Sequence, residues 1–72
     1  MPPSLPHITG AEVVRALEKL GFVVARQKGS HVILRRGSTG CAVPLHRELK
    51  IGTLSGVLKQ AGITADEFMQ AL

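Results

Sequence analysis

The chain has 72 residues, which is enough for one small domain, and its core must be aliphatic because only two residues are aromatic. Its single cysteine, Cys41, cannot form an intrachain disulfide, and this usage is typical of a reducing compartment. The first residues do not resemble a signal peptide, and no apolar stretch is long enough to cross a bilayer. We therefore expect a cytoplasmic protein without a membrane partner.

The net charge of +4 is concentrated in the middle of the chain. Residues 22–50 contain six Lys and Arg residues and one acid, whereas residues 51–72 contain one cation and two acids. A clustered basic surface is typical of proteins that bind nucleic acid. The alternative is that the charge has no functional meaning, as in other small basic domains.

The first predicted element is a helix. Three prolines make residues 1–8 an irregular Pro-rich lead-in, and residues 9–72 are expected to form a single domain. The sequence "TGAE" fits a capping box, in which Thr9 and Glu12 satisfy each other's backbone N–H groups. Apolar residues then recur at helical spacing, which predicts a helix over residues 10–20.

Three strands are predicted next. "FVVARQK" and "HVILRR" are rich in β-branched residues and are separated by Gly29-Ser30, a pair that suits a two-residue type II′ turn. The sequence "GSTG" over Gly37–Gly40 predicts a second turn, followed by a short strand, "CAVPL". Because proline cannot donate to a sheet, Pro44 indicates that this strand lies at an edge or ends there.

Two further helices complete the predicted domain. After a polar connection, "HRELK", apolar residues recur at helical spacing up to Gly62: Leu54, Val57, Leu58 and Ala61. The sequence "TADE" repeats the capping-box pattern before one or two last helical turns. A three-stranded antiparallel sheet has one face to bury, and the helices are its natural cover, so the fold class is α+β.

The two-residue turn predicts which side chains share a face of the sheet. It places Lys28 directly opposite His31, and side chains then alternate between the faces. The expected core face carries Val23, Ala25, Val32 and Leu34. The expected charged face carries Arg26, Lys28, His31 and Arg35, together with Phe22, Val24 and Ile33.

His31 is the candidate catalytic residue on the charged face. A cation directly opposite disfavours an imidazolium, and a neutral imidazole can accept a proton as a general base. The alternative is that His31 is an ordinary exposed residue beside a turn. His7 is assigned no role, and His46, at the end of the third strand, is expected either to lie near the turn or to begin a loop. The spacing of the three histidines does not fit a metal site, so neither a metal nor another cofactor is expected.

Two stretches of the chain resemble the HicA family of toxins from bacterial and archaeal toxin–antitoxin pairs. These stretches are "QKGSHVIL" and "VPLHRELKIGTLSGVLKQAGITADEF", and the resemblance runs from about Gly10 to Leu72. It implies a double-stranded-RNA-binding-domain-like fold and an mRNA interferase, a ribosome-independent endoribonuclease that a HicB antitoxin inhibits. It also implies that the histidine of the G-S-H turn, His31, is catalytic, while His46 matches a recurrent position of the family.

Together these observations predict a metal-independent ribonuclease. The 2′-hydroxyl of RNA can serve as the nucleophile, so one acid/base group and phosphate-binding cations are sufficient. We expect His31 to be the acid/base, and four cations to bind single-stranded RNA: Arg26, Lys28, Arg35 and Lys50. Two alternatives remain at this point, namely an RNA-binding module that does not cleave and an interaction protein with an acidic partner.

Overall fold

The computed structural model describes residues 8–72, which form three helices and one sheet. In chain order the elements are α1 (Gly10–Lys19), β1 (Val23–Lys28), β2 (His31–Arg36), β3 (Thr39–Pro44), α2 (Ile51–Ala61) and α3 (Ala65–Ala71). The predicted α+β class is confirmed, and the topology is consistent with a double-stranded-RNA-binding-domain-like fold. The predicted lead-in lies outside the described residues except for Ile8, which is buried. Within residues 8–72, no helix is both long and apolar enough to span a membrane.

Both predicted capping boxes are present. Thr9 Oγ1 accepts from the Glu12 backbone N–H at 3.2 Å, and Glu12 Oε1 accepts from the Thr9 N–H at 3.1 Å. Thr64 and Glu67 repeat this exchange at 3.1 and 2.9 Å. These bonds satisfy N–H groups that have no partner within α1 or α3. Because the backbone N–H groups favour the ionised carboxylate, they lower the pKa of Glu12 and of Glu67 below the ordinary value.

The sheet is an antiparallel meander in which β2 is the central strand. The first connection is the predicted two-residue turn, Gly29-Ser30, and it pairs Lys28 with His31. Gly29 has a φ of +61°, and no residue other than glycine has a positive φ among the described residues. A positive φ at the first central position alone is the sign pattern of a type II′ turn. The register near His31 is therefore the one that the sequence predicts.

The second connection is shorter than predicted. Arg36 pairs with Thr39, so the turn consists of Gly37 and Ser38 alone and not of the whole stretch Gly37–Gly40. Gly37 has a φ of +62°, which repeats the conformation of the glycine in the first turn. As a result β3 begins two residues earlier than predicted, at Thr39.

A β-bulge in β1 overturns the face predicted for the first residues of that strand. The pairing of β1 with β2 shifts at Ala25, which is an extra, exposed residue and not part of the core. Residues after the bulge keep the predicted pairing, whereas residues before it face the opposite side. Phe22, predicted on the charged face, is only 2% exposed, and Val23, predicted in the core, is 66% exposed. Val24 moves to the core side but remains partly exposed.

The three helices cover one face of the sheet, which we call the inner face. Its buried strand residues are Val32, Leu34, Cys41 and Val43. The predicted α2 residues are buried against the same core, as are Val13, Ala16 and Leu17 of α1 and Phe68 of α3. Leu49 is also buried, although it lies in the connection predicted to be polar, and its N–H donates to the Ile8 carbonyl at 2.9 Å.

The edge of β3 that does not pair with β2 is covered by α1 and α2. The Ala42 N–H donates to Gln60 Oε1 of α2 at 3.4 Å. Pro44, the next residue whose backbone points to this edge, has no N–H, and it ends the edge strand as predicted. Gly10 of α1 packs so closely there that a Cβ would collide with the Pro44 carbonyl oxygen. The start of α1 is thereby fixed against the end of β3, next to the first turn.

Candidate active site

The face of the sheet opposite the helices carries most of the predicted site, and we call it the outer face. The strand pairing arranges it as three rows across the sheet, namely Lys28–His31–Pro44, Arg26–Ile33–Ala42 and Val23–Arg35–Gly40. Three of the four predicted RNA-binding cations and the predicted catalytic histidine therefore share one surface. Since Phe22 is buried, none of these residues is a Phe, Tyr or Trp.

His31 lies at the middle of the first row. It is the first residue of β2, is exposed, and directly follows the Gly29-Ser30 turn. Directly paired residues in an antiparallel sheet have Cα atoms about 4.5–5.5 Å apart, so the Lys28 ammonium can reach a ligand that contacts His31. On the other side His31 is paired with Pro44, which is buried and carries no charge. This geometry places a proton-transfer group and a cation beside one another on an open surface.

Arg26 and Arg35 extend the positive charge away from the turn. Arg26 lies two residues before Lys28, diagonally across from His31, and Arg35 lies four residues after His31 on β2. Within residues 8–72, no carboxylate forms an ion pair with Arg26, Lys28 or Arg35. A partner that approaches this face therefore meets positive charge that the described carboxylates do not neutralise.

Arg36 is adjacent to Arg35 but lies on the other side of the sheet. Its Nη1 donates to the Leu20 carbonyl at the end of α1, at 2.8 Å, and its guanidinium lies 4.8 Å from the centre of the Phe22 ring. A cation at a helix C-terminus interacts favourably with the helix dipole and with unpaired carbonyls. Arg36 thus holds α1 against the sheet, and it does not belong to the outer face.

Lys50 lies outside the outer face. It is the N-cap residue of α2, with extended backbone, an exposed side chain and no capping hydrogen bond of its own. The prediction placed Lys50 near the start of this helix, and the structure puts it at that boundary. A helix N-terminus attracts anions, so Lys50 can add to phosphate binding from a position on the connection after β3.

A comparison with protein families decides where this arrangement belongs. The family model for the HicA toxin of bacterial toxin–antitoxin systems matches residues 10–63, which is 54 of the 72 residues. The chain belongs to the HicA toxin family. None of the curated proteins matches the chain at a significant level.

Membership of the family implies an antitoxin partner. The match includes the whole sheet, α1 and α2, and therefore every residue of the outer face and Lys50. It ends at Ile63, so α3 lies beyond the matched region, although Phe68 of this helix is fully buried in the same core. The sheet and its outer face thus lie within the region that matches the HicA family model. Helix α3 lies outside that region and packs into the core on the inner side of the sheet.

His46 is a residue of this surface region to which the sequence assigned no role. The chain continues past β3 in contact with its neighbours: the Leu45 N–H donates to the Ser30 carbonyl at 2.7 Å, and the Gly10 N–H donates to the His46 carbonyl at 2.9 Å. The two-residue spacing from Pro44 to His46 was a usable signal, because residues two apart in a strand share a face. Residues 8–72 contain no cluster of three or more His, Cys, Asp or Glu side chains suited to a metal ion.

Proposed function

We propose that this HicA toxin is a ribosome-independent endoribonuclease that cleaves mRNA, with His31 as the acid/base catalyst. The observation that supports this proposal best is the first row of the outer face. It combines an exposed histidine with a directly paired lysine, on a surface whose cations are not neutralised by described carboxylates. RNA cleavage through the 2′-hydroxyl needs these two kinds of group.

The proposed reaction is an intramolecular transesterification. His31 removes the proton of the 2′-hydroxyl, and the resulting oxygen attacks the adjacent phosphorus. The bond from phosphorus to the 5′-oxygen breaks and this oxygen takes up a proton, which leaves a 2′,3′-cyclic phosphate on one fragment and a 5′-hydroxyl on the other. Positioned acid/base catalysis of this kind contributes about 10²–10⁴-fold to a rate. The nucleophile belongs to the substrate, so this chain needs no nucleophilic side chain.

We assign the cations to the phosphates of single-stranded RNA. Lys28 is closest to His31 and would contact the scissile phosphate, where it stabilises the charge that develops on the oxygens. Arg26 and Arg35 would bind neighbouring phosphates along the outer face, and Lys50 would bind one near the start of α2. Without a Phe, Tyr or Trp on the outer face, stacking contributes little, and we expect weak discrimination between RNA sequences.

The biological setting follows from this activity. We propose that residues 9–72 act as a single HicA-like domain in the cytoplasm, where mRNA is the substrate. The antitoxin partner would be a HicB-like protein that inhibits the ribonuclease. A partner with acidic groups would match the unneutralised cations of the outer face.

Cleavage of a 5′-labelled single-stranded RNA by the purified protein, without ribosomes and with or without a chelator, tests the proposal. Wild-type protein should cut in both conditions and leave 2′,3′-cyclic phosphate and 5′-hydroxyl ends. His31→Ala should lose at least about 10²-fold in rate while it still binds the RNA. Thr39→Ala is the matched control, because it changes the equivalent position after the second Gly-Ser turn, and it should cleave normally.

Two results would contradict the proposal. Products with 3′-hydroxyl and 5′-phosphate ends would exclude attack by the 2′-hydroxyl. Wild-type protein that binds RNA with the same affinity as His31→Ala and never cleaves it would be an RNA-binding module, which is the second function compatible with a basic outer face.

A further inference from the structure

We propose that His46 is a second catalytic residue, the general acid that protonates the departing 5′-oxygen. This inference rests on the proposed ribonuclease function and deepens it, because it turns a single-histidine site into a pair. It is carried by the backbone contacts that connect the end of β3 with the first turn and with α1.

The direction of the backbone places the His46 side chain on the outer face. The Ala42 N–H points to the edge of β3 that does not pair with β2, towards α2, and the Pro44 carbonyl points to the same edge, towards α1. The His46 carbonyl points the same way, because it accepts from the Gly10 N–H at 2.9 Å. Residues whose backbone groups point to the same edge have side chains on the same face of a strand. His46 therefore continues the series of Ala42 and Pro44.

The same contacts bring His46 close to His31. The Leu45 N–H bonds to the Ser30 carbonyl at 2.7 Å, so the pairing of the two chain segments extends one residue beyond the strands. His31 follows Ser30 and His46 follows Leu45, which makes the two histidines diagonal neighbours across this pair. Diagonal neighbours have Cα atoms about 7–8 Å apart, and long side chains span that separation. A phosphate bound between these two exposed side chains would have one imidazole on each side.

The position of His46 is held by backbone contacts that do not use its side chain. Gly10 at the start of α1 packs against the backbone of Pro44 and Leu45 with no room for a side chain, and its N–H fixes the next carbonyl. His46 itself is exposed. The imidazole is therefore carried on a fixed backbone while it remains accessible to a ligand, as a catalytic group requires.

Two proton-transfer groups balance the reaction. The proton of the 2′-hydroxyl moves to His31 while the 2′-oxygen bonds to phosphorus. The bond between phosphorus and the 5′-oxygen breaks, and His46 in its protonated form gives its proton to that oxygen. Each histidine ends in the state in which the other began, and exchange with water restores both. His31 takes the role of base in keeping with the proposed function, in which it lies beside Lys28, the cation assigned to the scissile phosphate.

An RNA with sulfur in place of the 5′-oxygen at one linkage that the wild-type protein cleaves tests this assignment. A thiolate leaves without being protonated, so this substrate needs a base but no general acid. His46→Ala should cleave ordinary RNA about 10²–10⁴-fold more slowly than wild type and the 5′-thio RNA at nearly the wild-type rate. His31→Ala should be slow on both substrates. His7→Ala serves as the histidine control and should match wild type on both.

The variant leaves the fold intact, since the His46 carbonyl that accepts from Gly10 is retained in alanine, and an unchanged unfolding midpoint checks this. His46→Ala with wild-type rates on ordinary RNA would overturn the inference. An equal loss on both substrates would also overturn it, because His46 would then position the RNA without transferring a proton. If wild-type protein cleaves neither substrate, the proposed ribonuclease function itself is wrong. The reaction with wild-type protein therefore separates this outcome from a failure of the His46 assignment.

Discussion

The two hairpin turns of this protein share a Gly-Ser pair and a glycine of similar positive φ, but their surroundings differ. Each is a Gly-Ser pair preceded by a cation, and the two glycines have φ values of +61° and +62°. At the first turn, Lys28 and His31 lie on the outer face. At the second turn, Arg36 is bonded to the Leu20 carbonyl and covers the Phe22 ring. One turn thus presents its flanking residues to solvent, and the other uses its cation to hold α1.

The length of β2 explains this difference. The strand has six residues, so its first and last side chains point to opposite faces of the sheet. The helices cover only the inner face, and the cation of the second turn consequently meets the end of α1. A Gly-Ser turn preceded by a cation is therefore not sufficient to indicate a functional site. The face on which the flanking pair lies determines whether the residues are structural or can meet a ligand.

Replacing each turn glycine by alanine tests whether the two turns are equivalent as backbone. No atom lies within 4 Å of a Cβ at Gly29 or Gly37, so the cost comes only from the positive φ. We expect Gly29→Ala and Gly37→Ala to lower the free energy of unfolding by about 1–2 kcal/mol each. Chemical denaturation of both variants measures this.

Gly52→Ala is the control for these variants, since it lies in the first turn of α2, where alanine meets no atom within 4 Å and no positive φ is required. It should not destabilise the protein. Losses that differ by more than about 1 kcal/mol between the two turn variants would show that the turns are not equivalent.

Replacing the cation before each turn should separate function from stability. Lys28→Ala should weaken binding to single-stranded RNA and reduce the salt dependence of log K by about 0.7, the value for one phosphate contact, without changing the unfolding midpoint. Arg36→Ala should lower the free energy of unfolding by about 1 kcal/mol, because it removes one hydrogen bond and one cation–π contact at an exposed site. RNA-binding titrations at several salt concentrations and thermal unfolding give both readouts for each variant.

The proposed difference between the two turns would be wrong if Lys28 affected stability, if Arg36 affected RNA binding, or if both residues had both effects. An unchanged salt slope for Lys28→Ala would remove this residue from phosphate binding. A reduced slope for Arg36→Ala, with stability unchanged, would mean that the second turn also binds RNA.

The sequence was sufficient to predict the helices and the register of the strands at the first turn. Two-residue turns and capping boxes are local signals, and their geometry does not depend on distant residues. For this reason the pairing of Lys28 with His31 and the cap at Thr64 were both predicted correctly. The shared face of Arg26 and Arg35 also follows from this register, because the bulge lies beyond Arg26.

The remaining features depend on contacts between distant segments. The bulge at Ala25 leaves no local signal, and it moves Phe22 from the charged face into the core. Leu49 is buried because its connection packs against Ile8, which lies about 40 residues earlier in the chain. The sequence left two places open for His46, and the bonds of Leu45 to Ser30 and of Gly10 to His46 decide for the one beside the first turn.

Moving the histidine from one turn to the other tests the central claim most directly. The double variant His31→Thr/Thr39→His keeps the composition, the net charge and both Gly-Ser turns, but it transfers the imidazole to the inner-face side of the sheet. Single-turnover cleavage of labelled RNA by wild type, by His31→Thr and by the double variant is the measurement. We predict that both variants lose at least about 10²-fold in rate and still bind RNA. Wild-type cleavage by the double variant would contradict the claim that the outer face at the first turn is the active site.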